Sequence, residues 1–582
     1  EKRTTLQVTV DRLVASGADP VRPVWLPPMP EMLTFDSVLT DLGEGDDLQG
    51  EGTEPDPAEA KAVFGLTDIP REQRVVPAEM DFTGGEGNIV VLGGPQSGKS
   101  TLLRTVITSL AWRYPPGRVA VYAIDFGGGA LQAMDELPHV AGVAGRSDPE
   151  RVQRILTDVS GHLDRRQRVF RKHKLDSPAA LRQARAEGRV PSDVVGDLFL
   201  MIDGWSAGRD SFDAADDFLM DIATRGPSLG VHTILTGAAS SQVRSRLQAL
   251  FGGRFELRLS DPMDSGIGRK IAEDIPKDSP GRGLTSEEYH AQVALPRVDG
   301  VASDEDLTDG IQDLIKRVRE RWPQAAVQGV RTLPARVELD DLLKGRKSSR
   351  TRSRELVLGM AESSLAPAVT NLDRDPHLVV FGDPQTGKST LIRGLVKQIV
   401  KRPAKELGIV MVDFRRSHLE LVPEDHLLAY CTTAEQTKAV ADNLAGSLQQ
   451  RLPGPDVTPK QLRERSWWKG LDLYVIVDDM DMLASRSNPL ASLAKFIPQG
   501  ADLGLHIIAA RRTGGTARAM FEPVLQSLSD MATPGVLFSG DRMEGRLANG
   551  AASKQLPQGR AQLALRGKRP DLVQVGWSEP PA

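Results

Sequence analysis

A nine-residue glycine-rich pattern, written twice at an interval of 289 residues, constrains this chain more than any other feature. Gly93, Gly94, Pro95, Gln96, Ser97, Gly98, Lys99, Ser100 and Thr101 form the first copy. Gly382, Asp383, Pro384, Gln385, Thr386, Gly387, Lys388, Ser389 and Thr390 form the second. Both satisfy G-x-x-x-x-G-K-[ST]. In such a loop the glycines let backbone N–H groups wrap phosphate oxygens, and the helix that follows adds its positive dipole end. The lysine reaches the outer phosphates, and the serine hydroxyl can ligate Mg²⁺. Each copy follows a short apolar run, NIVVLGG or HLVVFGD, and precedes residues with helical apolar spacing. That strand–turn–helix context is what makes the motif specific.

The surroundings repeat as well as the loops. VYAIDF, ending at Phe126, matches VMVDF, ending at Phe414. LFLMIDG (Leu198–Gly204) matches YVIVDD (Tyr474–Asp479), and LGVHTIL matches LGLHIIA through His232 and His506. WLPPMP (Trp25–Pro30) resembles TLPARV (Thr332–Val337). The order is the same in both halves, so the chain reads as a tandem duplication of one large domain. Its 582 residues exceed what one hydrophobic core holds. The apolar runs are of the kind buried on both faces of a parallel sheet, and they alternate with helical patterns, which predicts an α/β fold. The expected boundaries are a lead-in linker at 1–20, a first domain at 21–322 and a second at 323–582. The switch falls around Arg321–Gln328. Gly43–Glu59, acidic and rich in Gly and Pro, and Leu343–Ser353, basic and rich in small residues, read as loops.

A phosphate loop works with an acidic residue at the end of a buried strand, which helps to hold Mg²⁺. Asp203 and Asp478 occupy such strand ends, so the expected metal set is Ser100 with Asp203 and Ser389 with Asp478. Hydrolysis further needs a carboxylate that positions the attacking water, in many such enzymes a glutamate directly after the strand aspartate. Those positions are Gly204 and Asp479. Gly204 has no side chain, and Asp479 is one methylene short, where a misplacement of ~1 Å costs about 10²-fold in rate. Asp478 and Asp479 are therefore the candidate catalytic pair of the second site, with Asp481 nearby. The first site is expected to bind ATP well and hydrolyse it poorly, and the second to be slow or inactive.

Composition narrows the class. Lys and Arg number 73 against 78 Asp and Glu, a net charge of -5, which argues against a dedicated nucleic-acid binder. The single cysteine, Cys431, leaves no intrachain disulfide and suits a reducing compartment. No apolar run approaches the ~20 residues that cross a bilayer, and no signal-peptide pattern opens the chain. The chain reads as soluble, or as the soluble part of something larger.

With these residues in view, the chain resembles the FtsK/SpoIIIE group of P-loop ATPases. Within it the resemblance is to the second and third ATPase modules of the EccC type of type VII secretion. It covers nearly the whole chain and includes VWLPP (Val24–Pro28), GGPQSGKSTLL, IDFGGG (Ile124–Gly129), LPHVAGVAGRSDPERV (Leu137–Val152), MIDGW (Met201–Trp205), GVHTIL, RERSWWKG (Arg463–Gly470), VDDMDML and ADLGLHII. The resemblance implies two tandem RecA-like P-loop domains, each a mostly parallel sheet flanked by helices. It implies ATP and Mg²⁺ held at degenerate, weakly hydrolytic sites, with a competent ATPase module upstream. It implies a cytoplasmic position, at the membrane face through other parts of a secretion complex. The implied partner is the C-terminal signal peptide of an EsxB-like secreted helical-hairpin protein, with capture promoting multimerisation. The family's HLILATQRP strand, which carries a polar sensor, becomes HTILTGAAS and HIIAARRTG here. The sensor glutamine falls near Ala238 and Arg512.

Other features keep two readings each. HLDRRQRVFRKHK (His162–Lys174) is a DNA-contacting surface or, as we favour, a solvated helix face. Trp467 and Trp468 are core residues or anchors of a peptide groove. DFGGGAL (Asp125–Leu131) serves a neighbouring nucleotide site or is a tight turn. Arg254 is an arginine finger or a strand-edge residue. Two rivals stand beside the secretion reading: a DNA-translocating FtsK-like ATPase, and an ATP-stabilised peptide-binding adaptor.

Overall fold

The computed structural model of the chain describes residues 3–17, 26–42, 56–84, 87–208, 215–324, 326–344, 354–464, 466–483 and 488–580. Most of the acidic loop at 43–59, most of the basic loop at 343–353, Trp25 and Arg465 lie outside the described residues. The chain parts into two compact units between Val330 and Arg331. This lies beyond the expected switch because the segment after Trp322 stays with the first unit. The Trp322 indole donates to the Ala111 carbonyl at 3.0 Å, and the Val327 and Val330 amides donate to the carbonyls of Pro138 and Ala141. The expected lead-in linker contains a helix, Thr5–Ala15, started by a Thr4–Gln7 capping box and burying no residue.

The first unit carries ten strands: β1 Lys61–Ile69, β2 Arg74–Asp81, β3 Ile89–Leu92, β4 Val119–Asp125, β5 Val140–Gly145, β6 Asp197–Asp203, β7 Val231–Gly237, β8 Gly253–Leu257, β9 Arg282–Leu284 and β10 His290–Val293. They form one sheet in the order β2-β1-β10-β9-β8-β3-β7-β6-β4-β5. From β8 to β5 neighbours run parallel, and from β8 to β2 they run antiparallel. The second unit carries β11 Val337–Glu338, β12 Glu355–Ala361, β13 Pro367–Asn371, β14 Leu378–Phe381, β15 Leu407–Asp413, β16 Leu427–Cys431, β17 Asp472–Asp478, β18 Leu505–Arg511, β19 Gly535–Phe538, β20 Arg546–Ala548, β21 Ala551–Ala552, β22 Arg560–Ala564 and β23 Asp571–Trp577. Its sheet order, β13-β12-β23-β22-β19-β14-β18-β17-β15-β16, is the first order strand for strand. The expected α/β duplication is borne out, and the antiparallel wing is the part the apolar runs did not announce.

Helices cover both faces because β3, β4, β6 and β7 are apolar on both. On one face the helix Lys99–Arg113 packs Leu102, Leu103, Val106 and Leu110 against Ile89, Val91 and Val121. On the other, the helix Pro149–His173 packs Ile155, Val159 and Leu163 against Leu198, Leu200 and Ile202.

At the end of the sheet away from the glycine loops, each unit buries a carboxylate among cations. Asp197, first residue of β6, accepts from Arg182 at 3.1 Å and faces Arg118 and His232. Asp472, first residue of β17, accepts from Arg354 at 2.8 Å and Arg402 at 2.9 Å. His232 and His506 bond the carbonyls of Gly87 and Pro376 and so tie β7 and β18 to the segments entering β3 and β14. Burial drives His506 down to about 4, so it is neutral at pH 7. Arg166 corrects the expectation that the basic helix face is solvated throughout. Its buried guanidinium donates to the carbonyls of Val195, Gly196, Leu229 and Gly230.

A second duplicated device bends the antiparallel wing. Gly65 and Gly359 sit at β-bulges where the register slips. A Cβ on Gly65 would lie 1.9 Å from the Gln292 carbonyl oxygen, and one on Gly359 would lie 2.1 Å from that of Gln574. Backbone cannot retreat as a flexible side chain can. Gly359→Ala is therefore expected to lower the unfolding free energy of the second unit by about 1–3 kcal/mol or more, read from urea unfolding. The exposed Gly454→Ala, with nothing within 4 Å, serves as the neutral comparison.

Candidate phosphate sites

Each glycine loop turns at the carboxyl end of a central strand, β3 or β14, where the sheet leaves a crevice. Gly98 and Gly387 take φ of 105° and 124°, and Gln96 and Gln385 also lie in the left-handed region at 55° and 62°. Successive amides thereby turn inward ahead of the helices Lys99–Arg113 and Lys388–Ile399. A Cβ on Gly98 would lie 2.9 Å from the Gly281 nitrogen, so this position has room only for glycine. The Gly281 amide donates to the Ser97 carbonyl at 2.9 Å, and Gly559 makes the same bond to Thr386.

Inside the first loop, the Lys99 ammonium donates to the carbonyls of Gly93 and Gly94 at 2.7 and 2.6 Å. In the second, Lys388 donates to the Asp383 carbonyl at 3.1 Å. Burial lowers the pKa of both amines, and facing aspartates partly restore it. The Ser100 hydroxyl donates to Asp203 at 2.6 Å, and Ser389 donates to Asp478 at 2.7 Å. A hydroxyl and a carboxylate oxygen held this close form a hard oxygen donor set, which fits a divalent cation such as Mg²⁺. The expected pairs Ser100–Asp203 and Ser389–Asp478 are thus brought together, across the intervening strands β7 and β18.

The two aspartates differ in what else holds them. Asp203 also accepts from the Thr236 hydroxyl, which itself accepts from the Gly204 amide at 2.8 Å. The position matching Thr236 is Ala510, which has no donor. Asp478 is instead met by His418 at 2.8 Å and by the Asp479 amide at 3.0 Å. Burial works against the charged form of Asp478. The bonds to His418 and Ser389, together with the nearby positive charge of Lys388, outweigh it, and the carboxyl sits below its ordinary range. Sequence reading missed both Thr236 and His418. The Thr236 signal was present in the aligned strand HTILTG, where a polar residue stands on an otherwise apolar run.

Directly after the strand-end aspartates, Gly204 and Asp479 share one backbone shape, with φ of 69° and 52°. Asp479 is bound to Arg415 at 2.5 Å, and burial followed by the Asp478 charge pushes its pKa up. DFGGGAL is a turn capped by Asp125, which accepts from the amides of Gly127, Gly128 and Leu131. Arg254 is held by Glu256 and the Ser240 hydroxyl. Trp467 and Trp468 are half-buried and donate to the carbonyls of Arg451 and Asp502. The Arg451 guanidinium lies 4.2 Å from the Trp468 ring centre.

The family model described as the FtsK/SpoIIIE family matches residues 53–299 and 338–452, which include both glycine loops. The chain belongs to the FtsK/SpoIIIE family. Nucleotide binding follows from membership of this P-loop ATPase family. Among its relatives, the ESX secretion system protein EccC of Thermomonospora curvata is 39% identical over 98% of this chain, which spans 43% of that protein. The ESX-1 secretion system protein EccCb1 of Mycolicibacterium smegmatis is 33% identical over the whole chain and 97% of its own length. A solved structure of T. curvata EccC, its ATPases 2 and 3 in complex with a signal sequence peptide, superposes with a TM-score of 0.83 at 38% identity. It covers 95% of this chain and 100% of that one. The chain is thus EccC-like within FtsK/SpoIIIE, as the resemblance implied, and spans less than half of its T. curvata relative. No helix among the described residues is long and apolar enough to cross a membrane.

Asp479 supplies a test of the local structure. Asp479→Gly removes a left-handed non-glycine residue and an ion pair to a half-exposed arginine, effects of opposite sign and about 1 kcal/mol each. It is expected to leave the unfolding midpoint nearly unchanged. Asp478→Ala strands the buried His418 donor and is expected to cost about 1–3 kcal/mol in the same denaturant titration.

Proposed function

We propose that the chain is the ATP-holding part of a type VII secretion motor, with ATP–Mg²⁺ as a structural and regulatory ligand at both loops. Residues Gly93–Thr101 and Gly382–Thr390 would hold the phosphates, and Ser100 with Asp203 and Ser389 with Asp478 would hold the cation. When bound, the cation neutralises phosphate charge; the chain's own part is to place amides, the two lysines and the two carboxylates around it. The observation that carries the reading is the water-positioning place. It is vacant of any side chain at Gly204, and at Asp479 it holds a short carboxylate engaged by Arg415. Binding without turnover is the chemistry that remains.

Such binding stabilises each unit by RT ln(1 + [L]/Kd), ~4 kcal/mol at a thousandfold excess of ligand. The purified chain is expected to carry ATP through chromatography and to release phosphate at a negligible rate. Lys99→Ala and Lys388→Ala are each expected to remove one nucleotide per chain, counted by denaturing release and nucleotide chromatography. Steady phosphate release abolished by either substitution would overturn the reading.

The cargo reading rests on the T. curvata structure with its signal sequence peptide and on an apolar recess of the second unit. The recess is lined by Met520, Leu525, Leu528, Leu547 and Ala548, beside an exposed Phe521. The recess holds only about 20 Å³, so an amphipathic signal helix would lay its apolar residues across its mouth, against Met520 and the exposed Phe521. Trp467 and Trp468, spent on carbonyls and on Arg451, fit the wall of the domain better than a groove. A C-terminal signal peptide of a helical-hairpin substrate is expected to bind the chain in titration calorimetry. Met520→Glu, at the recess mouth, is expected to weaken it by about tenfold or more. Affinity unchanged by Met520→Glu would move the peptide elsewhere.

A further inference from the structure

Two ion pairs surround the second phosphate loop and have no counterparts at the first. Arg415, just after β15, pairs with Asp479. Arg512, just after β18, lies 3.6 Å from Asp481, whose carboxylate also accepts from the Arg512 amide at 3.2 Å. Asp479 directly follows Asp478, so its pairing brings Arg415 beside the aspartate that Ser389 meets. Asp479, Asp481 and Arg512 all act electrostatically on Lys388, and the Gly382 amide donates to the carbonyl of Arg511. The matching positions in the first unit are Gly127, Gly204, Ser206 and Ala238. None can carry charge, and a Cβ on Gly127 would lie 2.6 Å from an Asp203 oxygen, so that place is closed to a side chain.

The arginines are not structural cations. Their side chains are 47% and 42% exposed, while the carboxylates they hold are 14% and 20% exposed. A half-exposed arginine with a single carboxylate partner keeps further N–H donors for another acceptor. A terminal phosphate delivered to Lys388 brings more negative charge and more acceptor oxygens than either carboxylate offers. We propose that Arg415 and Arg512 make the second site a sensor of nucleotide state. They leave Asp479 and Asp481 for the terminal phosphate of a nucleoside triphosphate, so that this site separates triphosphate from diphosphate while the first site does not. The inference rests on the nucleotide-holding reading above and deepens it. The first site becomes a fixed brace, and the second an element whose charge pattern changes with the nucleotide it carries.

The test is titration calorimetry with Mg–ATPγS and Mg–ADP on the full chain freed of carried nucleotide. Lys99→Ala confines binding to the second site, and Lys388→Ala confines it to the first. The second site is expected to prefer triphosphate over diphosphate by about tenfold more than the first site does. In the Lys99→Ala background, Arg512→Ala and Arg415→Ala are expected to weaken ATPγS by about tenfold and to move ADP by less than about threefold. Asp481→Asn, which removes the competing carboxylate, is expected to tighten ATPγS. An unchanged preference in both arginine variants, or an equal loss of both nucleotides, overturns the sensor. Failure of both single-lysine proteins to bind either nucleotide overturns the nucleotide-holding reading, and the sensor with it. Normal ADP binding with no triphosphate preference overturns the sensor alone.

Discussion

The hydrogen bond from the first serine of each helix to the strand-end aspartate, Ser100 to Asp203 and Ser389 to Asp478, is the constraint that the rest of each unit serves. A short hydroxyl and a short carboxylate meet only if β3 and β6 are held one strand apart with their ends level. The interposed strand β7 sets that spacing, and the same holds for β14, β18 and β17. The opposite ends must then be pinned, or the strands would slide. Asp197 does this with buried arginines and Asp472 with partly buried ones, and His232 and His506 fix the neighbouring strand by a bond to the backbone. Buried charge is tolerated there because each carboxylate has more than one donor, which is the condition for a buried ion pair not to cost more than it contributes.

What could be read from the sequence was local. The glycine loop fixes its own turn and helix start, and apolar runs of strand length declare themselves without their neighbours. Those features gave the duplication, the α/β class, the lysines and the strand-end aspartates. Contacts across the sheet were not legible. His418 reaches Asp478 from a loop 60 residues away, and nothing in its own surroundings marks it. Arg166 looked like one charge on a solvated helix. Its partners are four backbone carbonyls, and carbonyls have no letter in a sequence. The antiparallel wing hid for a similar reason. Several of its strands, such as β2, β9 and β22, are short or carry charged residues among the apolar ones, and β1 and β12 are broken by the bulge glycine, so their apolar signal is weak.

The exchange of Thr236 for His418 shows how the duplicated site has drifted without losing its geometry. Asp203 and Asp478 both need a second donor, since a buried carboxylate with one partner is unfavourable. In the first unit a hydroxyl on β7 supplies it. In the second, that strand position is Ala510, and an imidazole from the turn after β15 takes over. The carboxylate is conserved between the units in place and in charge, while its support changes element.

On the proposed reading, the missing carboxylate after Asp203 is not a one-residue matter in the first unit. Gly204 has φ of 69°, a conformation costly to most side chains, and a Cβ there would lie 3.3 Å from the Gly127 nitrogen and 3.4 Å from its Cα. The glycine run at 127–129 lets the Asp125-capped turn press against this spot, and the turn is held by amide bonds that a new side chain would have to displace. The second unit has Arg415 in place of Gly127 and tolerates Asp479 at the same backbone angle, but there the arginine engages the carboxylate. On the ATP-holding reading we propose, the two units differ in how they restrain the position after the strand-end aspartate: a Cβ at Gly204 would press on Gly127, and the Asp479 carboxylate is paired with Arg415.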